Sequence, residues 1–215
     1  MKHKNKFKII FLCLISYLVV QPLISNSLII LNTIFLSGLI IGFLFTPYLI
    51  SRSRKWLVFG FVTIVITNIP SLLSFDNGMY FYSTKILGLT AYFIVILYLF
   101  QYIMTENTIT DDLIYASLLG YFMIAIGFAH AYGILDKLGY LKFEPEAMVA
   151  GKNSWNYLYY SFSTLTTLGY GDIVPVSPLA RRLSGIEAAT GVLYVAVFIG
   201  RLIGVQSIKK KRNEN

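Results

Sequence analysis

Charge is scarce in this sequence: Asp, Glu, Lys and Arg make up 13% of its 215 residues, where soluble domains carry roughly 25%. With 56% hydrophobic residues and a mean hydropathy of +0.68, a water-soluble globular domain is excluded and a membrane protein is implied. Cysteine is nearly absent. Cys13 alone excludes an intrachain disulfide and any zinc spacing, and in an apolar run it reads as a small packing residue. Histidine is limited to His3, in a basic tail, and His130, in an apolar run where proton sensing and hydrogen-bonded packing are both open. There is no His-rich metal pattern, no nucleophile elbow and no phosphate loop, so an enzyme is not expected and no cofactor is implied. The net charge of +8 sits in short blocks beside apolar runs and forms no continuous basic face. Membrane lipids, not nucleic acid, are the partners this suggests.

What is present is a series of apolar runs long enough to cross a hydrocarbon layer of about 30 Å. Six are read: Ile9 to Ile24, Ser27 to Ile50, Trp56 to Leu73, Phe81 to Met104, Leu113 to Leu135 and Leu183 to Ile208. The first four close on Gln21-Pro22, Arg52 to Lys55, Asp76-Asn77-Gly78 and Glu106-Asn107, none of which suits lipid. Basic residues set the orientation. With the amino terminus inside, Lys2, Lys4, Lys6, Lys8, Arg52, Arg54, Lys55, Arg201, Lys209, Lys210, Lys211 and Arg212 lie inside, twelve against six for the outer side. A multi-pass protein of the cell membrane with both termini cytoplasmic is expected. Lys2 to Lys8 followed by Ile9 to Val20 also has the form of a signal peptide, but its removal would put Arg52 to Lys55 on the wrong side.

Between the fifth and sixth runs lies Trp155 to Asp172, reading WNYLYYSFSTLTTLGYGD, too short and too hydroxyl-rich to span. Such a segment is tolerated at membrane depth only where protein buries it or where it lines water, which a re-entrant loop satisfies. Lining a pore with successive backbone carbonyls requires residues that accept left-handed dihedrals, because carbonyls of an ordinary strand alternate sides. Glycine accepts them freely. Gly169 and Gly171 alternate with Leu168 and Tyr170, so Thr167, Leu168, Gly169 and Tyr170 are expected to aim carbonyls at one axis, where they could replace the water of a cation, with the Thr167 hydroxyl below.

Thr167-Leu168-Gly169-Tyr170-Gly171 resembles the selectivity filter of the potassium-channel pore family. The resemblance extends back through Tyr159 to Thr166, which is similar to the family's pore helix, and forward through Asp172. Leu183 to Gly204, with Glu187, Gly191 and Arg201, resembles the inner helix of bacterial two-span pore modules, so about residues 110–208 are covered. Two positions depart from the pattern. Leu168 stands where Val is commoner, and Ser163 stands where some bacterial relatives carry a carboxylate that pairs with the acid at the Asp172 position. The resemblance implies an all-α membrane protein of six transmembrane helices with a re-entrant pore helix and filter loop between spans five and six. Its domains would be a four-span membrane region at 1–108, a pore domain at 109–208 and a short basic cytoplasmic tail at 209–215. The implied function is passive K+ conduction through a ring completed by three identical subunits, K+ being the transported ion. A potassium uptake transporter subunit and a weakly selective cation channel are the alternatives.

Expectations for the surroundings follow. A helix from Ser154 to Thr166 would point its partly negative carboxyl end at the pore. Trp155, Tyr159, Tyr160 and Thr166 would support the filter, with interfacial anchoring as the other reading of the aromatics. Asp172 would form an acidic ring at the outer mouth or serve in structural hydrogen bonding. Glu187 is expected to hydrogen-bond behind the filter rather than contact ions. Gly191 is open between a gating hinge and close helix packing. Arg201 either snorkels or bridges to Asp111 and Asp112 in gating. Asp136 to Asn153 reads as a mixed-charge turret with Glu144 and Glu146 in solvent. Lys85 is the only basic residue between Phe81 and Met104, so strong voltage gating is not expected. With seven residues after Ile208, neither is a cytoplasmic ligand-binding domain.

Overall fold

The structure is a computed structural model that describes residues 6–20, 55, 78–144 and 154–214. The runs expected at Ser27 to Ile50 and Trp56 to Leu73 lie outside the described residues, Lys55 beside them excepted. The described residues are mostly helical: α1 (Lys6–Val20), α2 (Gly78–Thr105), α3 (Asp111–Lys137), α4 (Ser154–Leu165) and α5 (Pro178–Glu214), with strands β1 (Phe143–Glu144) and β2 (Val174–Pro175). Among them, Asp111–Lys137 and Pro178–Gly204 are long and apolar enough to cross a membrane. The chain divides into two compact units, residues 1–120 and 121–215.

In the first unit, α2 buries Val95, Leu99 and Ile103, a stripe spaced by four residues that lies along one helix face. Phe93, Leu97 and Phe100 stay exposed on other faces. From α1, Phe7 meets Tyr102 at 5.1 Å between ring centroids and Phe11 meets Tyr115 at 5.9 Å. Lys8 sets its ammonium 5.7 Å from the Tyr115 ring centroid, an attraction between cation and ring face.

The start of α3 follows from its sequence. The Thr110 hydroxyl accepts from the Leu113 amide at 3.1 Å, capping an orphan donor, and Asp111 and Asp112 fill the first turn, where carboxylates favour the helix dipole. Asp111 is exposed and Asp112 half-buried. Its end is a Schellman cap: Tyr140 N–H donates to the Leu135 carbonyl at 3.0 Å and Gly139 N–H to the Asp136 carbonyl at 2.8 Å. Gly139, at φ 78°, supplies the left-handed residue that this cap needs.

The helix α5 begins five residues before the expected Leu183. Ser177 and Pro178 explain the difference, since the Ser177 hydroxyl accepts from the Ala180 amide at 3.4 Å and proline suits the first helical turn. Most of the apolar side chains of α5 over residues 178–204 are uncovered within one chain, among them Ile186, Val192, Leu193, Val195, Val197, Ile199 and Ile203.

The expected turret is corrected over its described part. Phe143 and Glu144 pair antiparallel with Pro175 and Val174, and the Lys142 carbonyl accepts from the amides of Val176 at 2.9 Å and Ser177 at 3.4 Å. Leu141 and Phe143 are buried in a cluster with Tyr132, Tyr160, Ile173 and Ala180. The reason is a period of two in Leu141-Lys142-Phe143-Glu144, which puts both apolar side chains on one face. Glu144 is exposed as expected, and Glu146 lies outside the described residues. This strap ties the chain leaving α3 to the chain leaving the glycine-rich loop. Phe143→Ala should cost about 3–5 kcal/mol of stability, read as a lowered midpoint in thermal unfolding of the purified protein, because Phe143 is 4% exposed and its ring meets those of Tyr132, Tyr157 and Tyr160.

Candidate functional site

The loop from Thr166 to Asp172 starts where α4 ends, and the end of that helix builds it. Leu168 N–H donates to the Ser163 carbonyl at 2.9 Å and Thr167 N–H to the Thr164 carbonyl at 2.9 Å. These two bonds are again the Schellman pattern. Here its left-handed residue is Thr167, at φ 58°. A β-branched residue in that conformation stores strain of about 1–2 kcal/mol, which the cap bonds help to hold. The Ser163 carbonyl also accepts from Gly169 N–H at 3.1 Å, and the Ser163 hydroxyl accepts from Tyr170 N–H at 3.4 Å. Gly169 follows at φ 58° and Gly171 at φ 80°.

Left-handed residues therefore stand at positions 167, 169 and 171, with Leu168 and Tyr170 between them outside that region. The sequence pointed to the two glycines. It gave no sign of Thr167, whose conformation comes from the helix cap. The Thr167 hydroxyl donates to the Thr166 carbonyl at 2.6 Å and that of Thr166 to the Phe162 carbonyl at 2.6 Å. Residues 166–172 are all exposed in the single chain, Leu168 by 56% and Tyr170 by 66%.

Tyr159 and Tyr160 part company. The Tyr159 ring stacks on Tyr170, 6.3 Å between centroids and 3° from parallel, and its hydroxyl donates to Asp172 Oδ2 at 2.7 Å. That acceptor pushes the Tyr159 phenol up to about 12, so it remains a neutral donor at any physiological pH. Asp172 Oδ1 accepts from the Ile173 amide at 3.1 Å, so both carboxylate oxygens are engaged while the side chain remains exposed. Tyr160 sits one residue on, about 100° around the helix, and turns into the buried cluster, contacting Tyr132 and Phe143 rather than Tyr170. Its hydroxyl pairs with that of Ser184 at 2.5 Å, and Ser184 in turn donates to the Ala180 carbonyl at 2.8 Å. Trp155 is half-buried near the start of α4. Tyr157, which the sequence reading did not single out, donates to Asp136 Oδ2 at 2.6 Å, and burial followed by that carboxylate raises its phenol well above the ordinary value.

Glu187 is 0% exposed. Tyr132 on α3 donates to its Oε2 at 2.7 Å, its Oε1 meets the Ser161 hydroxyl of α4, and Ser161 also reaches the Ala125 carbonyl at 2.7 Å. Three helices thus converge on one carboxyl group behind the loop. Gly191, a turn farther along α5, lies against the last residue of α4. A Cβ built there would meet the Leu165 carbonyl group, its carbon at 2.9 Å and its oxygen closer still. That same carbonyl accepts from the Tyr121 hydroxyl at 3.2 Å. Arg201 is half-buried farther along α5.

Residues 109–206 match a family model described as an ion channel. That match supports an ion-channel pore domain. Protein LctB of Bacillus caldotenax is 33% identical over 87 residues, covering 39% of this chain and 64% of that protein. Protein LctB of Geobacillus stearothermophilus is 34% identical over 87 residues with the same coverage. The chain thus spans 64% of the length of these curated relatives. No solved structure matches it. The matched stretch contains both membrane-competent helices, the short helix α4 and the loop that follows it.

Proposed function

We propose that the chain is one subunit of a homotetrameric potassium-selective channel, conducting passively through carbonyls of Thr167, Leu168, Gly169 and Tyr170. The observation that carries this reading is the alternation of left-handed backbone at Thr167, Gly169 and Gly171. That alternation is the condition under which successive carbonyls share one side, and a ring of carbonyls replaces the hydration shell of K+. One chain supplies one strand, so enclosure takes four, arranged as a closed ring of identical subunits. The exposure of Leu168, Tyr170 and the apolar side chains of α5 fits a surface that neighbouring copies and lipid cover.

In this reading α4 is re-entrant and lies between spans five and six of a six-span subunit with both termini in the cytoplasm. The carboxyl ends of four such helices favour a cation at mid-membrane, and Asp172 adds negative charge at the outer mouth while Tyr159 fixes its position. The test is flux from proteoliposomes under a K+ gradient. Potassium permeation should far exceed sodium permeation, with weak dependence on voltage, and the reversal potential should follow the K+ gradient. A reversal potential that ignores that gradient overturns the proposal.

A further inference from the structure

We infer that Glu187 is a neutral carboxylic acid in the folded protein and that, by donating its proton to Ser161, it positions the helix that carries the filter. This rests on the channel reading only for its consequence in conduction. The hydrogens available at the site decide its protonation. The site holds three oxygen-to-oxygen contacts: Tyr132 Oη to Glu187 Oε2, Ser161 Oγ to Glu187 Oε1, and Ser161 Oγ to the Ala125 carbonyl. Each requires one hydrogen. Tyr132 supplies one and Ser161 supplies one, because a hydroxyl has a single proton and a carbonyl has none. With no hydrogen shared between two acceptors, the third comes from the carboxyl group.

The assignment that satisfies every contact runs in one direction. Tyr132 donates to Oε2, Oε1–H donates to Ser161 Oγ, and Ser161 donates to the Ala125 carbonyl. With an ionised carboxylate, either the pair Ser161 and Glu187 or the pair Ser161 and Ala125 would be two oxygens in contact without a hydrogen. The surroundings agree. Glu187 is 0% exposed, and among the described residues its hydrogen-bond partners are the hydroxyls of Tyr132 and Ser161, with no Lys, Arg or His beside it. An unpaired buried charge is far costlier than a hydrogen-bonded neutral acid. Ser184 lies near both Tyr132 and Tyr160, but its single proton goes to the Ala180 carbonyl, so it supplies none to the contacts around the acid.

The positioning role follows from where the three partners sit. Ala125 and Tyr132 are on α3, Ser161 is on α4 and Glu187 is on α5. Ser161 lies two residues before Ser163, whose carbonyl and hydroxyl receive the amides of Leu168, Gly169 and Tyr170. The acid therefore fixes the helix turn on which the loop hangs, without touching an ion.

The test has two arms on the purified, lipid-reconstituted full chain. In infrared spectra at neutral pH, wild type minus Glu187→Gln should show the carbonyl stretch of a protonated carboxyl, and Tyr132→Phe should shift that band. A difference spectrum carrying ionised-carboxylate bands alone overturns the inference. In K+ flux, Glu187→Gln keeps the same acceptor and donor and should stay within about threefold of wild type, whereas Glu187→Ala should lose at least about tenfold, as expected when the buried Tyr132 donor is stranded and Ser161 loses the group that fixes it. Equal loss in the Gln and Ala variants would overturn the positioning role. If the wild type carries no K+ flux, the channel reading fails, while the infrared arm still decides the protonation state.

Discussion

Gly191→Val is expected to abolish a correctly assembled pore domain. The glycine is buried on α5, and an added Cβ would fall inside contact distance of the Leu165 carbonyl, which is backbone and has no rotamer to turn aside. Relief requires α4 and α5 to separate. That would open the contact at Leu165, which is 1% exposed, and pull its carbonyl from the Tyr121 hydroxyl. Overpacking of this kind costs about 1–3 kcal/mol or more in one chain, and in the proposed ring four copies would carry it. Gly185 on the same helix has nothing within 4 Å of such a Cβ, so Gly185→Ala should be neutral or slightly stabilising through helix propensity. Size-exclusion profiles and thermal unfolding of the two variants check this. A stable, wild-type-sized Gly191→Val assembly would show that the two helices are not held together at this point. The contact supports close packing as the role of Gly191, and bending at this position would have to begin by breaking it.

How far the sequence could have led differs from residue to residue. Gly169 and Gly171 were legible because only glycine adopts left-handed backbone without cost, so their spacing carries conformational information by itself. Thr167 was not, since a β-branched residue argues against that conformation and only the bonds at the end of α4 impose it. The helices α3 and α4 were legible from apolar length and flanking polar residues, and the cap at Ser177 and Pro178 could have placed the start of α5. The strap from Leu141 to Glu144 left a signal only four residues long, too short to separate from a loop. Tyr159 and Tyr160 are neighbours of the same type, and composition cannot tell which one a helix turns toward Tyr170. The partners of Glu187 lie 55 and 26 residues away in sequence. A lone acid in an apolar helix announces that it needs partners, yet nothing local says which hydroxyls they are.

Gly169→Ala is expected to remove K+-selective flux altogether. The position sits at φ 58° with open space around a built Cβ, so the effect within one chain is conformational rather than steric. An L-residue there costs about 1–2 kcal/mol. In the proposed ring the cost is met four times, about 4–8 kcal/mol if the subunits act independently. Thr167 already carries one such strain two residues earlier, and the amides of Leu168, Gly169 and Tyr170 hang on the single residue Ser163. The cheapest relaxation is a flip out of the left-handed region, which turns a carbonyl away from the shared side and breaks the alternation. Gly139 provides the control. It is also left-handed, at φ 78°, and also has open space at its Cβ, but it belongs to the cap of α3. Gly139→Ala should therefore destabilise the fold by about 1–2 kcal/mol and leave the preference for K+ over Na+ intact. Flux ratios measured for both variants separate backbone strain in general from strain at the proposed conducting strand. If Gly169→Ala retained the wild-type ratio, the alternation at 167, 169 and 171 would not be what selects the ion.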